Sequence, residues 1–134
     1  MSDENVEVVR RIYASWKRGD FHTEEFFDPE VEHSRVGEDV PGIQGHWRGH
    51  DAFAAAMVAY LDALADLRVD AEEIIDLGDD RVLVLSRHRA EGKTSGLPFD
   101  HELGDLFTLR DGRIVRYVSY WHRADALEAA GLSE

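Results

Sequence analysis

The chain has no cysteine. That one absence excludes a disulfide framework, a zinc–thiolate site and a cysteine nucleophile. Proline is scarce, at three in 134 residues, and no Pro/Ser-rich linker, low-complexity tract or internal repeat divides the sequence. Positive charge is also short: 15 Lys and Arg face 28 Asp and Glu, a formal net charge of −13. So acidic a surface repels phosphate backbones and anionic lipid, which argues against a nucleic-acid or membrane partner. Long apolar runs are missing as well. The longest, Ala52 to Leu61, is too short to cross a bilayer. Met1-Ser2-Asp3-Glu4 lacks the apolar core of a signal peptide, so a cytoplasmic protein is expected. What remains is ordinary globular composition, too apolar for disorder at 43% hydrophobic residues, and a length that predicts one domain over 1–134.

Periodicity predicts the elements. Val6, Val9, Ile12 or Tyr13, and Trp16 recur every three to four residues, so Ser2 to Arg18 reads as an amphipathic helix with Ser2 as its cap. Glu24 to Phe27 is a short second helix that Asp28-Pro29 ends. Val31 to Val36 is a strand, and Gly37 to Gly49, with Pro41-Gly42, is a turn-rich stretch. A third helix runs from about His50 to Asp66. The period then becomes strand-like: Val69 to Leu77, Arg81 to Ala90, Phe99 to Leu109 and Arg113 to Trp121, with Asp111-Gly112 a hairpin signal. Ala124 to Ala130 closes the chain as a helical turn. Segregated helices and antiparallel strands give the α+β class. Val82 to Leu85 is apolar at both parities, so the sheet's second face needs cover there, and a homodimer through that outer face is the simplest source.

Several stretches carry a family likeness. They are Glu4-Asn5-Val6 through Gly19-Asp20, Phe27-Asp28-Pro29-Glu30-Val31-Glu32, Trp47-Arg48-Gly49-His50-Asp51-Ala52 and Gly78 to Val84. Thr108 to Val115 and the tail Arg123 to Leu132 continue it. The sequence resembles the SnoaL-like branch of the nuclear-transport-factor-2-like superfamily over nearly its whole length. The resemblance implies a cone: a curved antiparallel sheet wrapped around the N-terminal helices, with a pocket at its open end and a dimer through the outer face. The fold hosts isomerases, cyclases, hydrolases and non-catalytic modules, so function rests on the site.

The resemblance also places candidate chemistry. The position where related ketosteroid isomerases carry their carboxylate base is His33. The position of their oxyanion-stabilising acid is Asp105, an acid here too. Their oxyanion-hole phenol falls on Ile12. Tyr13 is one residue on, about 100° around a helix, which argues against steroid isomerisation. An Asp among Leu103, Phe107 and Leu109 is costly to bury unless paired or neutral. Asp105 and His33 are therefore the expected catalytic pair, as acid/base and partner, with a buried structural His–Asp hydrogen bond as the alternative. Tyr13, Trp16, Phe53, Met57, Tyr60, His101, Phe107 and Trp121 are expected to bind an apolar, cyclic or polyketide-like small molecule, with no cofactor. His46 and His50 are four apart, but Gly49 intervenes and no third ligand stands near, so no metal is expected. His88 lies between Arg87 and Arg89, and only one parity can face the pocket. The function expected is an isomerase or cyclase. The alternatives are a non-catalytic binding or dimerisation module and an epoxide hydrolase, whose Asp–Arg–Asp chain would draw on Arg35, Arg87 or Arg89.

Overall fold

The computed structural model of the chain describes residues 2–37 and 45–132. The turn expected at Pro41-Gly42 and the capping side chain of Ser2 lie outside the described residues. Helix α1 (Ser2–Lys17) carries Val9, Ile12, Tyr13 and Trp16 on its buried face, as their spacing requires. A 3₁₀ turn (Glu24–Phe26) leads into β1 (Phe27–Val36). β2 (Gly45–Arg48), α2 (His50–Asp62), β3 (Leu64–Asp76), β4 (Arg81–Gly92), β5 (Pro98–Arg110), β6 (Arg113–Tyr120) and α3 (Arg123–Ala129) follow.

The strands form one curved, unclosed sheet in the order β2-β1-β6-β5-β4-β3. β3 to β6 are the expected antiparallel meander, and at its last hairpin Asp111 and Gly112 both take positive φ, at 53° and 78°. That is the twist an Asp-Gly turn supplies. β1 departs from the all-antiparallel expectation by pairing parallel to β6. It also starts at Phe27 rather than Val31, running through Pro29 where the register slips between Phe27 and Glu32. A strand tolerates proline at such an irregularity.

Two other boundaries differ from the sequence reading. β2 is a strand inside the expected turn-rich stretch; four residues beside glycine are too short for alternation to register, but His33↔Trp47 and Arg35↔Gly45 pair it to the edge of β1. α2 stops at Asp62 rather than Asp66, because Leu64 and Ala65 pair with Gly92 and Glu91. Strand pairing overrides the helix propensity of the Ala-rich run.

The inner face of the sheet meets α1 and α2 over a core that includes Phe27, Val82, Val84, Phe107 and Ile114. On the outer face Leu83 and Leu106 pack against Ala126 of α3 and Ala130 just after it. The cover that Val82 to Leu85 requires therefore comes from the chain's own last helix, and this feature needs no second subunit. Gly104 makes that packing possible: a Cβ there would lie 2.2 Å from the Cβ of Ala126. No helix among the described residues is long and apolar enough to cross a membrane.

Candidate functional site

Strand alternation decides which side chains look inward. On β4 these are Val82, Val84, Ser86 and His88; on β5, Leu103, Asp105 and Phe107; on β6, Tyr117, Ser119 and, just beyond, Trp121. On β1 they are Val31, His33 and Arg35. Arg87 and Arg89 point outward, to Asp100 at 2.6 Å and Asp70 at 2.8 Å.

Asp105 is fully buried, at 0% exposure. It pairs with no Lys or Arg among the described residues. Hydroxyls surround it instead: Tyr13 donates a short hydrogen bond to Oδ2 and Ser86 donates to the same oxygen at 2.9 Å. Tyr117 lies 3.4 Å from Oδ1. Burial raises the Asp105 pKa above 3.8, and the hydrogen bonds from Tyr13, Ser86, Ser119 and Tyr117 offset only part of that. Burial and the neighbouring carboxyl also hold Tyr13 far above 10, so its hydroxyl keeps its proton and donates.

His33 is 1% exposed and stacked between Trp47 and Tyr117, with Phe53 at its edge. Its Nδ1 lies 2.9 Å from the Tyr117 carbonyl. A carbonyl only accepts, so Nδ1 carries the proton and Nε2 is a buried acceptor without a partner among the described residues. Burial, with the nearby charge of Arg35, lowers the pKa to about 3, which leaves the ring neutral. No hydrogen bond joins His33 to Asp105; the Tyr117 ring stands between them, making one contact with each.

One position above Asp105 the interior opens into a cavity of about 40 Å³. Trp16, Met57, Tyr60 and Trp121 line it, as do Arg35, His88, Leu103, Tyr117 and Ser119. At roughly 10–15 Å³ per water, that is room for about three waters. Phe21, Met57 and Leu61 form one wall and also border an open groove of about 330 Å³ between the end of α1 and α2. Tyr13, His33, Phe53, Asp105 and Phe107 are not in the cavity wall. Phe107 stacks on Tyr117 with centroids 4.6 Å apart, Phe53 borders the groove, and His101 stacks on Trp121 at 3.8 Å and bonds its carbonyl. His46 turns to Ser34 and His50 to the Phe27 carbonyl, so the two share no site.

Two polar groups of the wall were not singled out by the sequence. His88 sits 2.7 Å from the Tyr60 hydroxyl. Burial raises the Tyr60 pKa and lowers that of His88 to about 4, so the phenol donates to a neutral imidazole. Arg35 lies over the rings of Trp47 and Tyr60, at 5.1 and 5.3 Å from their centroids, and donates to the Ala56 carbonyl at 3.0 Å. It makes no ion pair among the described residues, so the Asp–Arg–Asp chain of an epoxide-opening site is absent from them. Parity held the signal for both: Arg35 shares the face of His33, and His88 that of Val82 and Val84.

Comparisons with known proteins agree with this architecture. Residues 9–117 match the SnoaL-like domain family. A structure of an NTF2-like protein of unknown function from Burkholderia pseudomallei superposes with a TM-score of 0.79 at 23% identity, over 96% of this chain and 97% of that one. TerC, co-crystallised with polyporic acid, gives 0.76 at 22% identity over 96% and 98%. A protein of ketosteroid-isomerase-like fold from Catenulispora acidiphila, in complex with trimethylamine, gives 0.73 at 16% identity over 94% and 93%. No curated protein matches the sequence.

Proposed function

The chain belongs to the SnoaL-like domain family, and on that premise we propose that it is a cofactor-independent acid–base enzyme, an isomerase or cyclase. Its substrate is an apolar cyclic or polyketide-like small molecule, and Asp105 is its proton reservoir. One observation carries this reading. A fully buried carboxyl with no cation partner among the described residues lies next to a small interior cavity, paired across the strands with Ser119 of the cavity wall. Burial favours the neutral form of such a carboxyl, and a neutral acid can protonate or hydrogen-bond a developing enolate oxygen. Tyr117 connects the two spaces: its side chain lines the cavity and its hydroxyl faces Asp105. A substrate carbonyl at that hydroxyl takes its proton as Asp105 supplies the next; the α-hydrogen leaves as a proton to a solvent water, giving the enol and the Asp105 carboxylate, and the reverse steps at either carbon restore the ketone and the neutral acid.

The second reading is a non-catalytic binding module. It is favoured by the cavity wall itself, which includes neither Asp105 nor His33, and by a volume that admits a ring only when Phe21, Met57 and Leu61 move.

Exchange of α-hydrogens separates the two. Cyclic ketones from cyclopentanone to 2-tetralone are incubated with the protein in D₂O and followed by NMR. The enzyme reading expects acceleration over buffer for at least one ketone and a fall of about 10²- to 10⁴-fold in Asp105→Asn, with circular dichroism unchanged. A wild-type rate equal to buffer across the series supports the binding module.

A further inference from the structure

We infer that the ligand of the inner cavity carries an acidic oxygen, a carboxylate or an enolate on a flat apolar body, and that Arg35 binds it. The inference rests on the reading that this cavity is the functional site. It starts from an imbalance. The chain has 28 acidic residues, and three outward arginines of β4 take carboxylate partners: Arg81 has Asp79, Arg87 has Asp100 and Arg89 has Asp70. Arg35, the arginine that faces the interior, has none among the described residues. Arg35 is half-buried; a guanidinium stays charged at neutral pH, and even partial withdrawal from water without a counter-charge is costly.

What Arg35 does have prepares it for a ligand. The Trp47 and Tyr60 rings fix its plane, and the Ala56 carbonyl takes one of its five N–H donors. The remaining fork suits the two oxygens of a carboxylate or the delocalised oxygen of an enolised dicarbonyl. Nothing else in the wall competes. His88 is neutral, the Tyr60 hydroxyl is turned to it, and the one nearby carboxyl, Asp105, is surrounded by hydroxyl donors. Trp16, Met57 and Trp121 supply apolar surface for the body. The cavity takes the acidic head, and the body passes between Phe21, Met57 and Leu61 toward the groove those residues also border. A cationic guest of the kind held by the Catenulispora relative meets a like charge here.

Isothermal titration calorimetry with small probes tests this. Benzoate is paired with benzyl alcohol, 1,3-cyclohexanedione (an enolate at neutral pH) with cyclohexanone, and tetramethylammonium serves as the cation. The expected result is at least tenfold tighter binding of one anion than of its neutral partner and no binding of the cation. Which anion is preferred distinguishes carboxylate from enolate. Arg35→Met, which keeps the apolar stem, loses that preference, Arg35→Lys keeps part of it, and Arg35→Met without ligand melts no lower than wild type. Equal binding of charged and neutral probes, no binding of either anion, or an intact preference in Arg35→Met overturns the inference. Asp105→Asn retains the anion preference. Failed ketone exchange with that preference intact therefore counts against the enzyme alone, and lost preference with exchange intact counts against the ligand class alone.

Discussion

The two faces of the sheet handle charge in opposite ways. Outside, Arg123 bonds Glu72 at 2.8 Å and Glu102 at 3.3 Å, and Arg87 and Arg89 each take a carboxylate. Inside, an acid and a cation are both present and, among the described residues, neither has an ionic partner: Asp105 has hydroxyls, Arg35 has rings and a carbonyl. Nothing in the strand backbone forces this. The same β4 places Arg87 and Arg89 on one side and Ser86 and His88 on the other by alternation alone. Ionisable groups buried or half-buried without an ionic partner lower stability, and such groups concentrate where a protein does chemistry or binds ligands. The outer face fixes the architecture and the inner face holds the unused chemical potential.

The sharpest way to break the contrast is to remove one carboxylate from each face. Asp105→Asn is expected to lower ketone exchange by about 10²- to 10⁴-fold, whereas Asp100→Asn leaves it unchanged. Equal effects would mean the inner carboxyl has no special role. Next comes the packing of α3 on the outer face. Gly104→Ala forces a Cβ onto Ala126 and is expected to cost about 1–3 kcal/mol in chemical denaturation. Adding Ala126→Gly should recover part of that loss, and a Gly104→Ala protein of wild-type stability would show that the contact yields freely.

The acid limb of stability tests the inner histidines. Burial holds His33 at about 3 and His88 at about 4 in the folded chain, against 6.5 when unfolded. The unfolded state therefore binds more protons below pH 6.5, and stability falls as pH drops from there toward about 3. Asp105 has the opposite sign: its raised pKa keeps a proton that the unfolded chain releases above 3.8, so its contribution shrinks as pH rises. His33→Phe removes the largest histidine contribution and should flatten the limb; an unaltered limb would place the titration elsewhere. The smallest effect is expected outside. Asp100→Asn breaks an exposed pair, and melting temperature should stay within experimental scatter, with or without added salt.

Much of this was legible from residue pattern, and the exceptions have physical causes. The helix face of Trp16, the strand position of Asp105 and the Asp-Gly hairpin follow from periods of 3.6 and 2. β2 was hidden because its pairing partner lies outside its own sequence. The sequence points to a second subunit as cover for Leu83 because it does not show that α3 folds back over Gly104. Tyr13 stands one helix position from the place the resemblance assigns to a phenol, yet its hydroxyl meets Asp105: a long side chain makes up for a rotated Cα. The His33–Asp105 pairing failed for a steric reason, since parity puts both on the inner face but β6, carrying Tyr117, runs between β1 and β5. The sequence offers Arg35 only as one of three cations, and the structure shows that the other two are paired outside.

The state of the Asp105 carboxyl can be read directly by infrared difference spectroscopy of wild type against Asp105→Asn. A carboxyl kept neutral by burial gives a protonated-acid C=O band that persists above pH 5, where exposed carboxylates near 4 have ionised, and that vanishes in the variant. A spectrum with no such band above pH 5 would mean that the carboxyl is an ordinary ion, and the inner face would lose its proton reservoir.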